Sequence, residues 1–185
     1  MSGLCGGVLE GRMLVLVVLF MSKEKFDTKT EESFCNFFKN VGENIVKIKG
    51  NNFPDFLVDD RFVFEIKEIN KSGTEEYSNG VKIQKINIIN VVNKYIIDFD
   101  KKIKSYEKIK KCSYYGLVFY NLRYQTDNHI KESFKNSKIK NYKIINSLIY
   151  AGYNKPTNTT LALSVFNNKD FLLDDIFNDL NYEVL

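Results

Sequence analysis

The chain is poor in the residues that mark most metal and redox sites. It has one histidine, His129, and three cysteines, Cys5, Cys35 and Cys112, in 185 residues. The cysteines are odd in number, scattered and without metal-type spacing, so a Cys/His zinc site is close to excluded. No disulfide framework is written into such a pattern, and a reducing cytoplasm is the default compartment. Charge of one sign is not in large excess either. A formal net charge of +4 tolerates a polyanionic partner without demanding one. No internal repeat and no linker divides the chain, and its length suits one domain with a proper core.

Long apolar runs are also missing. The longest, Met13 to Met21, falls short of the roughly 20 residues that span a bilayer, so no membrane segment is expected. It lies in a segment, residues 1–21, with no Lys, Asn, Ile, Asp or Tyr, the residues that dominate the remainder. All three methionines fall there. The simplest account is a non-native or mis-called leader, with Met21 as a natural start and residues 22–185 as the domain. A signal peptide would need more than Arg12 as its cation and a small-residue cleavage site. An edge-pairing β-strand is the third option.

What is present is an alternation of elements. Thr28 to Val41 predicts a helix, capped by Thr28 or Thr30, with Phe34, Phe37, Phe38 and Val41 as its apolar stripe and Gly42 as its stop. The stretches "NIVKIKG", "FPDFLVD" and "RFVFEIKEI" predict three strands. "NKSGTEEYSNG" reads as a polar loop, and Val81 to about Lys110 as a long helix on the stripe Ile88, Val92, Tyr95, Phe99, Ile103, Tyr106. "YYGLVFYNL" predicts a strand covered on both faces. Thr126 to Tyr150 reads as mostly helical, "TTLALSVF" as another buried strand, and "DFLLDDIFNDL" as a closing helix. The order implies an α/β sandwich with a mixed sheet flanked by helices.

Charge in the middle of the second and third strands singles out one place. Alternation puts Phe56 and Val58 on one face, and Phe62, Phe64 and Ile66 on one face of the next strand. Bringing these faces together requires residue i to oppose residue 120 − i, across a three-residue loop Asp59 to Arg61. No glycine is present there, but Asp tolerates the left-handed conformation better than most residues. Asp55 then lies opposite Glu65, with Cβ atoms roughly 4.5–5.5 Å apart. Two such carboxylates repel, and one resists ionising. A divalent cation removes the conflict, and oxygen ligands of this kind suit Mg²⁺. Lys67 points to the same face and can offset the charge or orient a water or phosphate oxygen. The bland alternative is a solvated hairpin face, which Leu57 and Val63 on that same face argue against.

Pro54-Asp55, a ten-residue step to Glu65, and then Glu65-Ile66-Lys67 resemble the PD-(D/E)XK nuclease superfamily, which includes restriction endonucleases and Holliday-junction resolvases. The resemblance spans roughly Thr28 to Leu122 and implies the restriction-endonuclease-like α-β-β-β-α-β core. It implies Mg²⁺-dependent phosphodiester hydrolysis of DNA, with Mn²⁺ as a substitute. Asp55 and Glu65 would bind the ion, the carbonyl of Ile66 would add a ligand, and Lys67 would position the attacking water. Many members add an acid from the first helix. Glu31 shares the face of Phe34 and Phe38 and is preferred over Glu32, although either acid also suits a helix N-terminus. Some members carry a Gln or Lys early in the next helix, where Lys82, Gln84 and Lys85 lie. Gln84 continues the Ile88 and Val92 stripe.

Lys101, Lys104 and Lys108, in a cationic run with Lys102, Lys110 and Lys111, could track phosphates, together with Lys82 and Lys85. A solvated helix face is the slightly favoured reading of that run. The expectation is therefore an endonuclease of restriction or defence type, with DNA as partner and a homodimer to cut both strands. The rivals are a Holliday-junction resolvase or repair nuclease, a nuclease-fold module that binds nucleic acid or protein without cutting, and an unrelated α/β domain. The last would leave Glu31 far from Asp55.

Overall fold

A computed structural model describes residues 28–49, 52–69, 74–78, 81–85, 88–120, 127–168 and 182–185, with backbone only for 74–78, 81–85 and 127. The leader and the expected closing helix over 170–180 lie outside these residues. Among the described residues the fold is mixed α/β, with a seven-stranded mixed sheet and three α-helices.

Helix α1 (Lys29–Asn40) starts where Thr28 accepts the Glu31 backbone N–H. It ends in a Schellman-type closure. Gly42 adopts φ +88°, and the N–H of Glu43 reaches back to the Phe38 carbonyl at 3.0 Å. Strands β1 (Ile45–Lys47), β2 (Phe56–Val58) and β3 (Phe62–Glu68) then form an antiparallel meander. Strands β4 (Thr74–Ser78) and β5 (Val81–Lys85) make a separate antiparallel ribbon. Helix α2 (Ile88–Tyr106) crosses over to β6 (Tyr114–Tyr120), which lies parallel to β3. Helix α3 (Asp127–Lys135) and a 3₁₀ turn (Lys138–Asn141) lead to β7 (Ser147–Asn154), parallel to β6. Strands β8 (Thr159–Asn167) and β9 (Tyr182–Val184) extend the sheet, giving the order β1-β2-β3-β6-β7-β8-β9.

The sheet is buried on both faces at its centre, whereas strand β8, expected to be buried, is exposed at Leu161 and Ala162. Phe34 and Phe38 of α1 pack on Phe56, Phe64, Val118 and Tyr120. Each fully buried phenylalanine contributes about 1.5–3 kcal/mol of apolar burial. On the other face, Val92, Ile96, Phe99 and Ile103 of α2, with Ile130 and Phe134 of α3, cover Val63, Leu117 and Phe119. All seven residues of β6 are buried, as expected of a central strand flanked by parallel neighbours.

Three expectations need correction. The long helix begins at Ile88 and not Val81, because residues 81–85 pair with 74–78 as a ribbon. Gln84, Lys82 and Lys85 therefore lie on β5 and not in the first turn of α2. The segment expected as polar loop contains β4. The segment read as helical to Tyr150 gives way after the 3₁₀ turn to β7, where its backbone bonds to the neighbouring strands β6 and β8 instead of to itself. Among the described residues, no helix is long and apolar enough to cross a membrane.

Candidate active site

The β2–β3 hairpin has the register that the phenylalanine alternation predicts. Phe56 pairs with Phe64, Leu57 with Val63 and Val58 with Phe62. The Asp59–Arg61 loop closes it without glycine. Asp59 (φ 48°) and Asp60 (φ 59°) both take the left-handed region, and the N–H of Arg61 donates to the Val58 carbonyl at 3.1 Å. One step beyond the pairing, Asp55 faces Glu65. Asp55 Oδ2 accepts the backbone N–H of Ile66 at 2.7 Å.

Glu65 lies on the α2 face of the sheet and is only 1% exposed. Its Oε1 accepts from the Lys67 ammonium at 2.6 Å and also from the Lys102 ammonium. Its Oε2 is buried and has no hydrogen-bond partner. A buried carboxylate oxygen left bare is costly. Lys102 rises from the fourth turn of α2. Its ammonium also stands 5.8 Å from the centre of the Phe53 ring, which in turn packs edge-on against Phe99 and Tyr106.

Asp55 shows the strain of this arrangement. Burial, and next the Glu65 carboxylate, push its pKa up to about 6. The Ile66 N–H and the Lys67 ammonium oppose the rise, while Glu31 adds a small upward push. Glu31 is thus near enough to Asp55 for its charge to be felt there. The Glu31 carboxylate accepts from the ammonium of Lys47 on β1, and both side chains are almost fully buried. Glu32 instead turns to Asn158 in the β7–β8 connection, accepting from its Nδ2 at 3.2 Å. Glu68, on the opposite face from Lys67, accepts from the Thr30 hydroxyl.

The site thus gathers Asp55, Glu65 and Lys67, with Glu31 alongside. It adds two lysines that the motif does not mark, Lys47 and Lys102. A signal for Lys47 exists, since it shares the buried face of Ile45 on β1. Lys102 lies one helical step of three from Phe99 and of four from Tyr106, on the flank of the buried stripe. The side chains of Lys82, Gln84 and Lys85 lie outside the described ones. Lys104 is held by Asp100 at 2.6 Å, and Lys101 and Lys108 are exposed on and just beyond α2. His129 is exposed on α3, away from this cluster's strands.

No group of three or more His, Cys, Asp and Glu side chains drawn together as a ready cage occurs among the described residues. The donors present nonetheless fit a hard ion that keeps most of its water. They are two opposed carboxylates, one with a bare buried oxygen and the other reluctant to ionise without a cation. Compared with family models, curated proteins and solved structures, the chain matches none.

Proposed function

We propose that the chain is a Mg²⁺-dependent nuclease that hydrolyses DNA phosphodiesters, an endonuclease of restriction or defence type working as a homodimer. The observation that carries this reading is the opposition of Asp55 and Glu65 across one hairpin, with the Lys67 ammonium on Glu65. The element order supports it. An α1-β1-β2-β3-α2-β6 succession, with an antiparallel meander and β3 parallel to β6, agrees with the restriction-endonuclease-like core. The β4–β5 ribbon would be an insertion in that core.

Asp55, Glu65 and the Ile66 carbonyl would hold the ion, with Mn²⁺ able to replace Mg²⁺. When bound, it lowers the pKa of a coordinated water and stabilises charge on the phosphate. Glu65 is positioned by β3 and shielded by α2, so its charge acts in a poorly solvated place. Lys67, two residues along the same strand face, would orient the attacking water beside the phosphate. The water oxygen adds to phosphorus, the ester bond breaks, and the departing oxygen gains a proton. Lys47 would fix Glu31 so that its carboxylate faces the end of the site.

Supercoiled plasmid incubated with the protein in Mg²⁺, beside EDTA, tests this. Nicking that disappears in EDTA and in Asp55→Ala is the expected result. Intact plasmid with wild-type protein in both Mg²⁺ and Mn²⁺ refutes it. One observation favours a second reading, a nuclease-fold module that binds without cutting. Glu65 Oε1 already has two ammonium partners, so part of the site's charge is met without an ion. That module would retain plasmid in a mobility shift and leave it uncut in both ions.

A further inference from the structure

Four charges meet at the hairpin. Asp55 and Glu65 are balanced by Lys67 and Lys102, so the cluster is close to neutral before any ion arrives. A divalent cation between the acids would leave two positive charges in excess, with Glu65 almost wholly out of water. Such an excess is stable only if an ammonium leaves or an anion enters. The two lysines differ in their freedom to leave. Lys67 is tied to the strand that carries Glu65, and its side chain is 23% exposed. Lys102 reaches in from a helix on a long stem, and its side chain is 44% exposed. Its ammonium lies over the ring of Phe53, which Phe99 and Tyr106 hold in place.

We propose that Lys102 is a partner-exchanging positioning residue, which holds Glu65 in the ion-free protein and moves to a phosphate oxygen of the substrate when a divalent ion takes Glu65. The inference rests on the nuclease reading and deepens it. It makes ion and phosphodiester binding mutually dependent, because each removes the electrostatic obstacle to the other. A lysine suits the task as a compact point charge with a flexible stem. The ion-free protein then binds Mg²⁺ weakly, and the polyanionic duplex brings the ion with it.

Lys102→Met and Lys102→Gln, checked for folding by circular dichroism, test the exchange without relying on activity. Mn²⁺ affinity in the absence of DNA is read by paramagnetic resonance, and affinity for a fluorescein-labelled duplex in Ca²⁺ is read by anisotropy across a salt series. Both variants should bind Mn²⁺ roughly fivefold more tightly than wild type, having lost a competing cation of a partly exposed pair. Their duplex binding should weaken, with a log–log salt slope shallower by about one. Lys102→Arg should restore the slope. If either the Mn²⁺ affinity or the salt slope is unchanged in both variants, the exchange is wrong, while Mg²⁺-dependent cleavage by wild type leaves the nuclease reading standing. If wild type neither binds Mn²⁺ nor cleaves, both fall.

Discussion

Asp55→Asn should make the protein more stable at neutral pH while abolishing its proposed activity. The folded protein raises the Asp55 pKa from an ordinary 3.8 to about 6, through burial and the facing Glu65. A carboxyl with a raised folded pKa holds its proton more tightly in the fold. Its help to stability is therefore complete below about pH 3.8 and is lost as pH rises through about 6. The difference amounts to about 3 kcal/mol. Water reaching the partly exposed side chain screens part of this, leaving roughly 1.5–3 kcal/mol. The amide substituent can still accept the Ile66 N–H and carries no charge to repel Glu65. Urea unfolding of wild type and variant at pH 4 and pH 8 measures the effect. The two should be nearly equal in acid and separate at pH 8, with the melting temperature of the variant higher by roughly 5–10 °C. Added Mn²⁺ should narrow the gap by stabilising wild type alone. A stability difference that does not change with pH, or a variant less stable than wild type at pH 8, refutes the argument.

Other perturbations follow from the same geometry. Mn²⁺ affinity of the wild type should fall by about fivefold between pH 6 and pH 5, because Asp55, whose pKa is pushed up to about 6, must release its proton to bind the ion; calorimetry would check this. Lys47→Met should destabilise by about 2–4 kcal/mol in urea, since it strips a buried partner from Glu31, and the double variant with Glu31→Gln should recover most of the loss. Gly116→Ala on β6 should cost about 1–3 kcal/mol in the same assay. Its new Cβ would stand 3.0 Å from the rings of Phe64 and Tyr114, which are packed on all sides.

The parts of the fold visible in the sequence are those that local chemistry decides. Alternating phenylalanines and a short acidic loop fix the β2–β3 register, because any other pairing would move one buried face to the wrong side. The Thr28 cap and the Gly42 stop bound α1 for equally local reasons. The face shared with Phe34 and Phe38 separates Glu31 from Glu32. The ribbon was harder to see, because "VKIQK" is too short to separate a strand from the start of an apolar helical stripe. Asn79-Gly80, which joins the paired Ser78 and Val81, is the dipeptide most favoured in two-residue hairpin connections and is the signal that would have found it. The pairing of Lys47 and Lys102 with their acids stayed hidden for a different reason. Their acids lie 16 and 37 residues away, and only the tertiary fold brings each pair together.

That distance along the chain also sets an order in time. The two acids are joined by a hairpin and can meet as soon as it closes, whereas the Lys102 ammonium arrives only when α2 docks over the sheet. Nascent chains would therefore pass through a stage in which the carboxylates confront each other with less than their full complement of cations. Hairpin closure is fast and helix docking slower, so alkaline conditions would penalise that stage and divalent salts would ease it. The feature that would equip the protein for its proposed chemistry is thus also the one its folding must overcome.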